Sequence, residues 1–265
     1  MNSQKVLITG GNSGIGLAIS NLFLDRGFQV YSASRKDREF PEHKNFHYLR
    51  LDLSDLDAVK EFGPRFIDEH GVPDILINNA GYGAFFEWSV FEENQIIRQA
   101  NVLFLAPSLL CRTFAPVMAK IKKGTIMNIT SLATLFPLPY MPLYNSSKTA
   151  LSALTSSLML EYEKYPKFLD FRLGDVRTGF NRISLKQLLC SQPSRMKTAW
   201  SQIEKQLNES PSAQIVARQI FSAYKKNKVG IIYGGSFIQA RLAPFFYKIL
   251  GQKGLSFLLH KRYFG

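Results

Sequence analysis

Lys5-Val6-Leu7-Ile8-Thr9-Gly10-Gly11-Asn12-Ser13-Gly14-Ile15-Gly16 is the stretch that decides the fold. A short aliphatic run reads as a buried strand, the glycines as a tight turn, and Ile15 to Asp25 as the following helix, with Gly27 as its stop. Glycines in such a turn let a pyrophosphate approach the backbone closely and let the helix pack close to the strand. The helix N-terminus adds free N–H donors and a partial positive charge. A strand before and a helix after lift the pattern above an ordinary turn. It predicts a dinucleotide site on Gly10, Asn12, Ser13, Gly14, Ile15 and Gly16.

Outward from this turn, short apolar runs alternate with longer amphipathic ones. Further strands are predicted at Gln29–Ser32, Phe46–Leu51, Asp74–Asn78, Gly124–Thr130, Phe168–Leu173 and Val229–Tyr233. Helices are predicted from Ser54 as cap to about His70 with an interruption at Gly63-Pro64, from Glu92 to about Ala119, over Asn145–Lys164 and over Gln214–Lys225. Strands that are apolar throughout, alternating with helices, describe a parallel sheet buried on both faces. The expected fold is α/β: one Rossmann-like, doubly wound domain of about seven strands, covering residues 1–239, with a basic apolar tail at 240–265.

Composition sets the outer bounds. The chain has 265 residues, 46% hydrophobic and 20% charged, which fits one large globular domain and argues against collagen-like, disordered or disulfide-stapled classes. Its net charge of +13 is uneven: Ser210–Gly265 holds nine Lys/Arg and no Asp or Glu. Cys111 and Cys190 fit no metal-ligand spacing and read as two reduced thiols. No metal site, signal peptide or run of ~20 apolar residues is read, so a cytoplasmic protein is expected.

The second strand ends Ser32-Ala33-Ser34-Arg35-Lys36. An acid at the Ser34 position would bind the ribose 2′-OH of NAD and repel a 2′-phosphate, whereas Arg35 offers a planar fork for one. Ser34 and Arg35 therefore point to NADP(H). Tyr144 and Lys148, at i and i+4, share a helix face. An ammonium beside a phenol lowers its pKa from ~10 and fits it for proton exchange with an alcohol or carbonyl oxygen. Ser131 ends the fifth strand at the carboxyl edge, where open α/β sheets bind ligands.

These residues together resemble the short-chain dehydrogenase/reductase family. Its T-G-x-x-x-G-x-G stands as Thr9–Gly16, its N-N-A-G as Asn78-Asn79-Ala80-Gly81 and its Y-x-x-x-K as Tyr144–Lys148, over a core from about Lys5 to Thr178. The resemblance implies that Tyr144 is the general acid/base, that Lys148 binds the nicotinamide ribose and tunes Tyr144, that Ser131 holds the substrate oxygen, and that Asn101 supports a proton relay. Asn79, Ala80 and Gly81 would line the cofactor, Asn79 serving also or instead as a tie between strands. Asp52 and Leu53 would contact the adenine, with a turn-forming acid as the other reading of Asp52. The family's P-G-x-x-x-T stands here as Leu173-Gly174-Asp175-Val176-Arg177-Thr178. Gly174 and Thr178 keep the pattern, while loss of the proline loosens the loop assigned to the carboxamide.

Leu132, Leu135, Phe136, Leu138 and Met141, with Tyr82, Phe85 and Phe86, suggest an apolar substrate pocket. A lid at about 179–212 would add Ile183, Leu185, Leu188, Leu189 and Met196. Trp88 and Trp200 read as packing residues. The expected activity is hydride transfer to a lipid- or steroid-like carbonyl, or from the matching secondary alcohol, and the family resemblance implies a homodimer or homotetramer built on the two long helices. In the tail, Phe245, Phe246, Ile249, Phe257 and Leu258 interleave with Arg241, Lys248, Lys253 and Lys261. Two readings stay open there: a helix lying in a membrane interface, or a cap over the pocket, with Gly251 and Gly254 breaking any single long helix. Nucleic acid is not expected, because no recognition motif accompanies the charge. The rival functions are a catalytically silent cofactor sensor or scaffold, and a protein recruited to membranes through its tail.

Overall fold

The computed structural model describes residues 3–35, 40–178, the backbone of 185–186, and 193–265. Its strands are β1 (Lys5–Thr9), β2 (Gln29–Ser34), β3 (Phe46–Arg50), β4 (Ile75–Asn78), β5 (Ala84–Phe85), β6 (Thr125–Ser131), β7 (Lys167–Leu173), β8 (Leu185–Lys186) and β9 (Gly230–Gly234). Seven of them form one parallel sheet in the order β3-β2-β1-β4-β6-β7-β9, while β5 and β8 pair separately. Helices α1 (Gly14–Leu24), α2 (Leu56–His70), α3 (Glu93–Ala100), α4 (Ala106–Lys120), α5 (Pro142–Glu161), α6 (Ser194–Asn208), α7 (Ala213–Lys225), α8 (Ala243–Ile249) and α9 (Gln252–Phe264) surround it.

Strand alternation assigns the layers. Val6, Ile8, Ile75, Ile77 and Met127 point to the α1/α7 face, against Ile19, Phe23, Val216 and Ile220. Leu7, Leu76 and Ile126 point to the opposite face, against Phe66, Leu110 and Phe114 of α2 and α4. Both faces are covered, so β1 and β4 carry unbroken apolar runs, Val6-Leu7-Ile8 and Ile75-Leu76-Ile77. The chain winds outward from β1 to β3 and then returns to β4 on the other side. The resulting switch point opens a crevice at the carboxyl ends of β1 and β4.

Several local expectations are corrected. Asp55, not Ser54, caps α2, accepting from the N–H groups of Asp57 (3.1 Å) and Ala58 (3.0 Å). Gly63-Pro64 does not interrupt that helix. A Cβ on Gly63 would sit 2.7 Å from the Thr113 methyl, so the glycine allows α2 and α4 to approach closely. The long helix expected from Glu92 changes pitch over Asn101–Leu105, a π segment between α3 and α4. The Glu93–Lys120 run is long and apolar enough to cross a membrane by composition. Its apolar side instead lies on the sheet through Leu110, Phe114 and Met118. Gly251 separates α8 from α9 as expected, but Gly254 lies within α9. The 239/240 division falls inside a second π segment, Ile238–Leu242.

Candidate active site

A cavity of about 630 Å³ occupies the crevice, running from the glycine turn to the α5 N-terminus. At the turn, Gly10 has φ +67°, and a Cβ on Gly16 would lie 2.0 Å from the Gly10 carbonyl oxygen. Only glycine lets α1 start this close to β1. Asn12, Ser13, Gly14 and Ile15 line the same end, and a Cβ on Gly14 would lie 3.8 Å from Thr178 across the opening. Asn79 is a lining residue and a tie at once: its backbone N–H donates to Thr9 Oγ1 (3.0 Å) and its amide to the Thr9 carbonyl (3.0 Å). Ala80 donates to the same Thr9 hydroxyl (3.1 Å), which fixes β4 against β1, and Gly81 borders the cavity beside it.

The second end of the crevice is built around Asp52. Burial alone would raise its carboxyl pKa. Donation from the Ser54 N–H (2.9 Å) and hydroxyl (2.7 Å), with the charges of Arg35 and Arg98, holds it below the ordinary value. Ser34, Arg35, Asp52 and Leu53 all line the cavity as expected. Ser34 Oγ is buried without a hydrogen-bond partner among the described residues, an orphan donor that a ligand oxygen would satisfy. Arg98, on α3, is a lining residue that sequence reading missed, since a mid-helix arginine carries no distinguishing signal. Tyr82, expected on the substrate side, feels Arg98, Arg35 and Asp52 and so belongs to this end. A turn that only glycines can make, an unpartnered Ser34 hydroxyl and two arginines fit a dinucleotide.

At the chemical end, Ser131 Oγ accepts from the Ala133 N–H (3.1 Å), leaving its own hydrogen for the Tyr144 oxygen. Lys148 is buried and its ammonium donates to the Ile129 carbonyl at 2.7 Å. Burial lowers the Lys148 pKa to about 8 against the opposing charge of Asp170. The expected lowering of the Tyr144 phenol is not what the structure shows. Burial raises its pKa, the Ser131 hydrogen bond opposes this, and the Asp175 charge adds to it. Lys148 is turned to a backbone carbonyl, so desolvation dominates at the phenol.

Asn101 sits at the pitch change between α3 and α4. It is absent from the cavity lining, and its side-chain amide donates instead to the Ser54 carbonyl at 2.9 Å. Its backbone carbonyl accepts from the Ala106 N–H within the π segment. Two buried networks hold α5 on the sheet. Asn78 donates to Asn128 (2.7 Å), which donates to Thr155 (2.7 Å). Asp170 accepts from Ser152 (2.6 Å), Arg172 (2.9 Å) and Thr130. Cys111 is a free, buried thiol whose pKa burial pushes up to about 12, and Cys190 lies outside the described residues.

Leu173, in the place of the family proline, ends β7 with pairing on both sides, to Ser131 and Gly234. The strand thus runs without interruption to Gly174, which also lines the cavity together with Thr178. A Cβ on Gly174 would lie 2.4 Å from Gln239 Oε1, so the glycine admits Gln239, which donates to Asp175 Oδ2 at 2.7 Å.

The substrate side is apolar. Phe85, Leu138, Met141, Trp200, Ile203 and Leu207 line it. Leu132, Leu135, Phe136 and Phe86 do not; Phe136 packs on Tyr247 and Phe86 stacks on Phe91. Trp88, expected to pack, is 56% exposed. Of the expected lid residues, Met196 is buried under α6, Leu185 is described in backbone only, and Ile183, Leu188 and Leu189 lie outside the described residues. Tyr263 of α9 is buried against Phe85, Met141 and Trp200, so the tail forms the back of this wall.

A nucleotide-binding crevice at the switch point of a doubly wound sheet, ending in Ser131, Tyr144 and Lys148, defines a Rossmann-type protein with an oxidoreductase-like site. The profile of the short chain dehydrogenase family matches residues 4–182, and the chain belongs to that family. It is 32% identical over 181 residues to a 3-ketodihydrosphingosine reductase from Bacteroides thetaiotaomicron, covering 68% of this chain and 66% of that protein. It is 30% identical over 263 residues to the short-chain dehydrogenase ptmH of Penicillium ochrochloron, covering 94% of this chain and 93% of the other. A short-chain dehydrogenase from Streptomyces avermitilis has the same fold, with a TM-score of 0.80 at 19% identity over 94% of this chain and 93% of that one. A metagenomic short-chain oxidoreductase in complex with NADP matches with a TM-score of 0.59 at 29% identity, over 65% of this chain and 80% of that one.

Proposed function

We propose that this chain is an NADP(H)-dependent oxidoreductase that interconverts an apolar ketone and its secondary alcohol. The observation that carries this reading is a single cavity with the glycine turn, Arg35 and Arg98 at one end and Ser131, Tyr144 and Lys148 at the other. When bound, the nicotinamide cofactor supplies or takes up the hydride. Gly10–Gly16 would hold its phosphates, Arg35, Arg98 and Ser34 a 2′-phosphate, and Lys148 a ribose hydroxyl. Ser131 and Tyr144 hold the substrate oxygen. In the reducing direction the Tyr144 phenol gives its proton to the oxygen that gains negative charge, and in the oxidising direction it takes one back. The apolar wall from Phe85 to Leu207 excludes water and takes an alkyl or ring body. The Bacteroides relative makes 3-ketodihydrosphingosine the first ketone to test. The test is NADPH oxidation followed at the nicotinamide absorbance over a panel of apolar ketones, with Tyr144→Phe as control. Turnover that the variant loses supports the reading. Cofactor binding without turnover of any ketone or alcohol moves it to the silent cofactor sensor.

A second observation supports a membrane-peripheral location. Eight exposed large apolar side chains fall between Phe237 and Leu258, among them Phe245, Phe246, Ile249 and Phe257. The same region carries Arg241, Lys248 and Lys253 and no acid. Like charges disfavour pairing two copies through this face, whereas anionic headgroups complement it. On this reading the inner side of the tail packs behind the pocket wall and its outer side would meet lipid. Co-sedimentation with vesicles of anionic and of zwitterionic lipid tests this, and equal solubility with both rejects it. For self-association, Ile97, Leu105, Ile121 and Leu160 are exposed on the helices expected to form the interface. Sedimentation equilibrium would give a dimer or tetramer.

A further inference from the structure

Asp175 has no part in the chemistry above, yet it lines the catalytic end of the cavity. Its charge is felt by the Tyr144 phenol. One carboxylate oxygen, Oδ2, accepts from Gln239 Nε2 at 2.7 Å and lies 4.0 Å from the Arg262 guanidinium. Arg262 spends its short hydrogen bond elsewhere, on Gln206 Oε1 at 2.6 Å. The other oxygen, Oδ1, takes no hydrogen bond from any described residue. Burial raises the carboxyl's pKa, and Arg262 and Gln239 offset this only in part. A carboxylate kept in such a place is costly unless a partner completes it. Its side chain is 24% exposed and lines the cavity, so a ligand can reach the oxygen that Gln239 and Arg262 leave open.

We infer that Asp175 selects a substrate bearing a protonated amine close to its reacting oxygen, with an apolar chain along the Phe85–Leu207 wall. An ammonium fits the vacancy better than a hydroxyl, because it cancels the charge as well as filling the lone pair. The position is set by the fold. Ser131 and Tyr144 hold the reacting oxygen, and Asp175 lies two residues beyond Leu173, the end of β7, which pairs with Ser131. Gln239 approaches over Gly174 to hold the carboxylate. The inference rests on the proposed reductase reading for its reacting oxygen, but the recognition of an amine can be measured without any reaction.

The experiment uses the full chain with NADPH present and follows tryptophan fluorescence, since Trp200 lines the cavity. Decylamine, 1-decanol and decanoate are compared as ligands, each below its micellar concentration. The expected order is amine, then alcohol, then carboxylate, with the amine at least tenfold tighter than the alcohol. In Asp175→Asn the amine-to-alcohol ratio falls towards one. Equal affinities in the wild type, tightest binding of decanoate, or an unchanged ratio in the variant overturns the inference. If the variant does not fold, the wild-type order alone decides. A turnover arm compares a long-chain 2-aminoketone with the ketone lacking the amine. Amine selectivity without turnover of either would reject the reductase reading and leave Asp175 as a cation site. Turnover of both with no preference would do the reverse.

Discussion

Replacing Arg35 by alanine tests the cofactor assignment most directly. Arg35 lines the cavity where β2 ends, and its charge, with that of Arg98, reaches Asp52. A charge-assisted hydrogen bond is worth about 1.5–3 kcal/mol, or roughly 10- to 150-fold in affinity. NADH has no 2′-phosphate to lose, so its affinity should change by less than about threefold. Arg98→Ala should act in the same direction, because its guanidinium faces the same pocket end. The double variant should lose less than the product of the two, since both cations serve one group. Titration of nicotinamide fluorescence at fixed ionic strength gives the dissociation constants of both cofactors for all four proteins. Raising the salt should weaken NADPH binding more than NADH binding, because screening acts on the extra phosphate charge. A wild type that binds both cofactors equally, or an Arg35→Ala variant that loses both to the same extent, would refute the reasoning.

Gly16→Ala places a methyl 2.0 Å from the Gly10 carbonyl oxygen and 2.6 Å from Asn79 Nδ2, so the turn must open. The expected cost is about 1–3 kcal/mol of stability, read by thermal denaturation, with NADPH affinity lost in the same titration. Tyr263→Ala removes a buried ring from the α6/α9 wall. At about 3–5 kcal/mol for an aromatic truncation it should release α9 to limited proteolysis and raise the KM of an apolar ketone, leaving the NADPH dissociation constant unchanged. Lys148 makes activity and stability move oppositely with pH. Its folded pKa is lowered to about 8, so the ammonium is lost as pH rises through that value and kcat/KM should fall. The unfolded lysine holds its proton to ~10.4, so the unfolded state binds more protons in between and thermal stability should rise from about pH 8 to 10. In Lys148→Met that rise should vanish.

Much of this was legible because it is local. The phosphate turn, the strand before it and the helix after it lie within twenty residues, and each glycine there answers to one nearby atom. The layers followed for the same reason: a parallel sheet covered on both faces demands uniformly apolar strands, and Val6, Leu7 and Ile8 show it in three consecutive residues. Where the reading failed, tertiary packing had overruled a local rule. Pro64 reads as a break, but α2 continues because it packs on α4 at Gly63. Ser54 reads as the helix cap, but Asp55 takes that place and the Ser54 carbonyl accepts from the Asn101 amide at the π segment.

The two halves of the cavity differ in this respect, and the difference bears on function. The cofactor half is assembled from β1, β2 and β4, each delivering its residues at a strand end next to a turn with a recognisable sequence. The substrate half is assembled from Phe85, Met141, Trp200 and Tyr263, contributed by four elements that share no motif. Asp175 lies within a family pattern, but at a position the pattern leaves free, and its meaning appears only when Gln239 and Arg262 arrive from the chain's last thirty residues. A side chain that reads as a loop acid in sequence thus becomes a partly buried charge in the cavity wall. Such a charge is stabilised by what enters the cavity, whereas the glycine turn is fixed by the backbone alone. Changes in α9 should therefore alter which ketone is accepted before they alter which cofactor is bound.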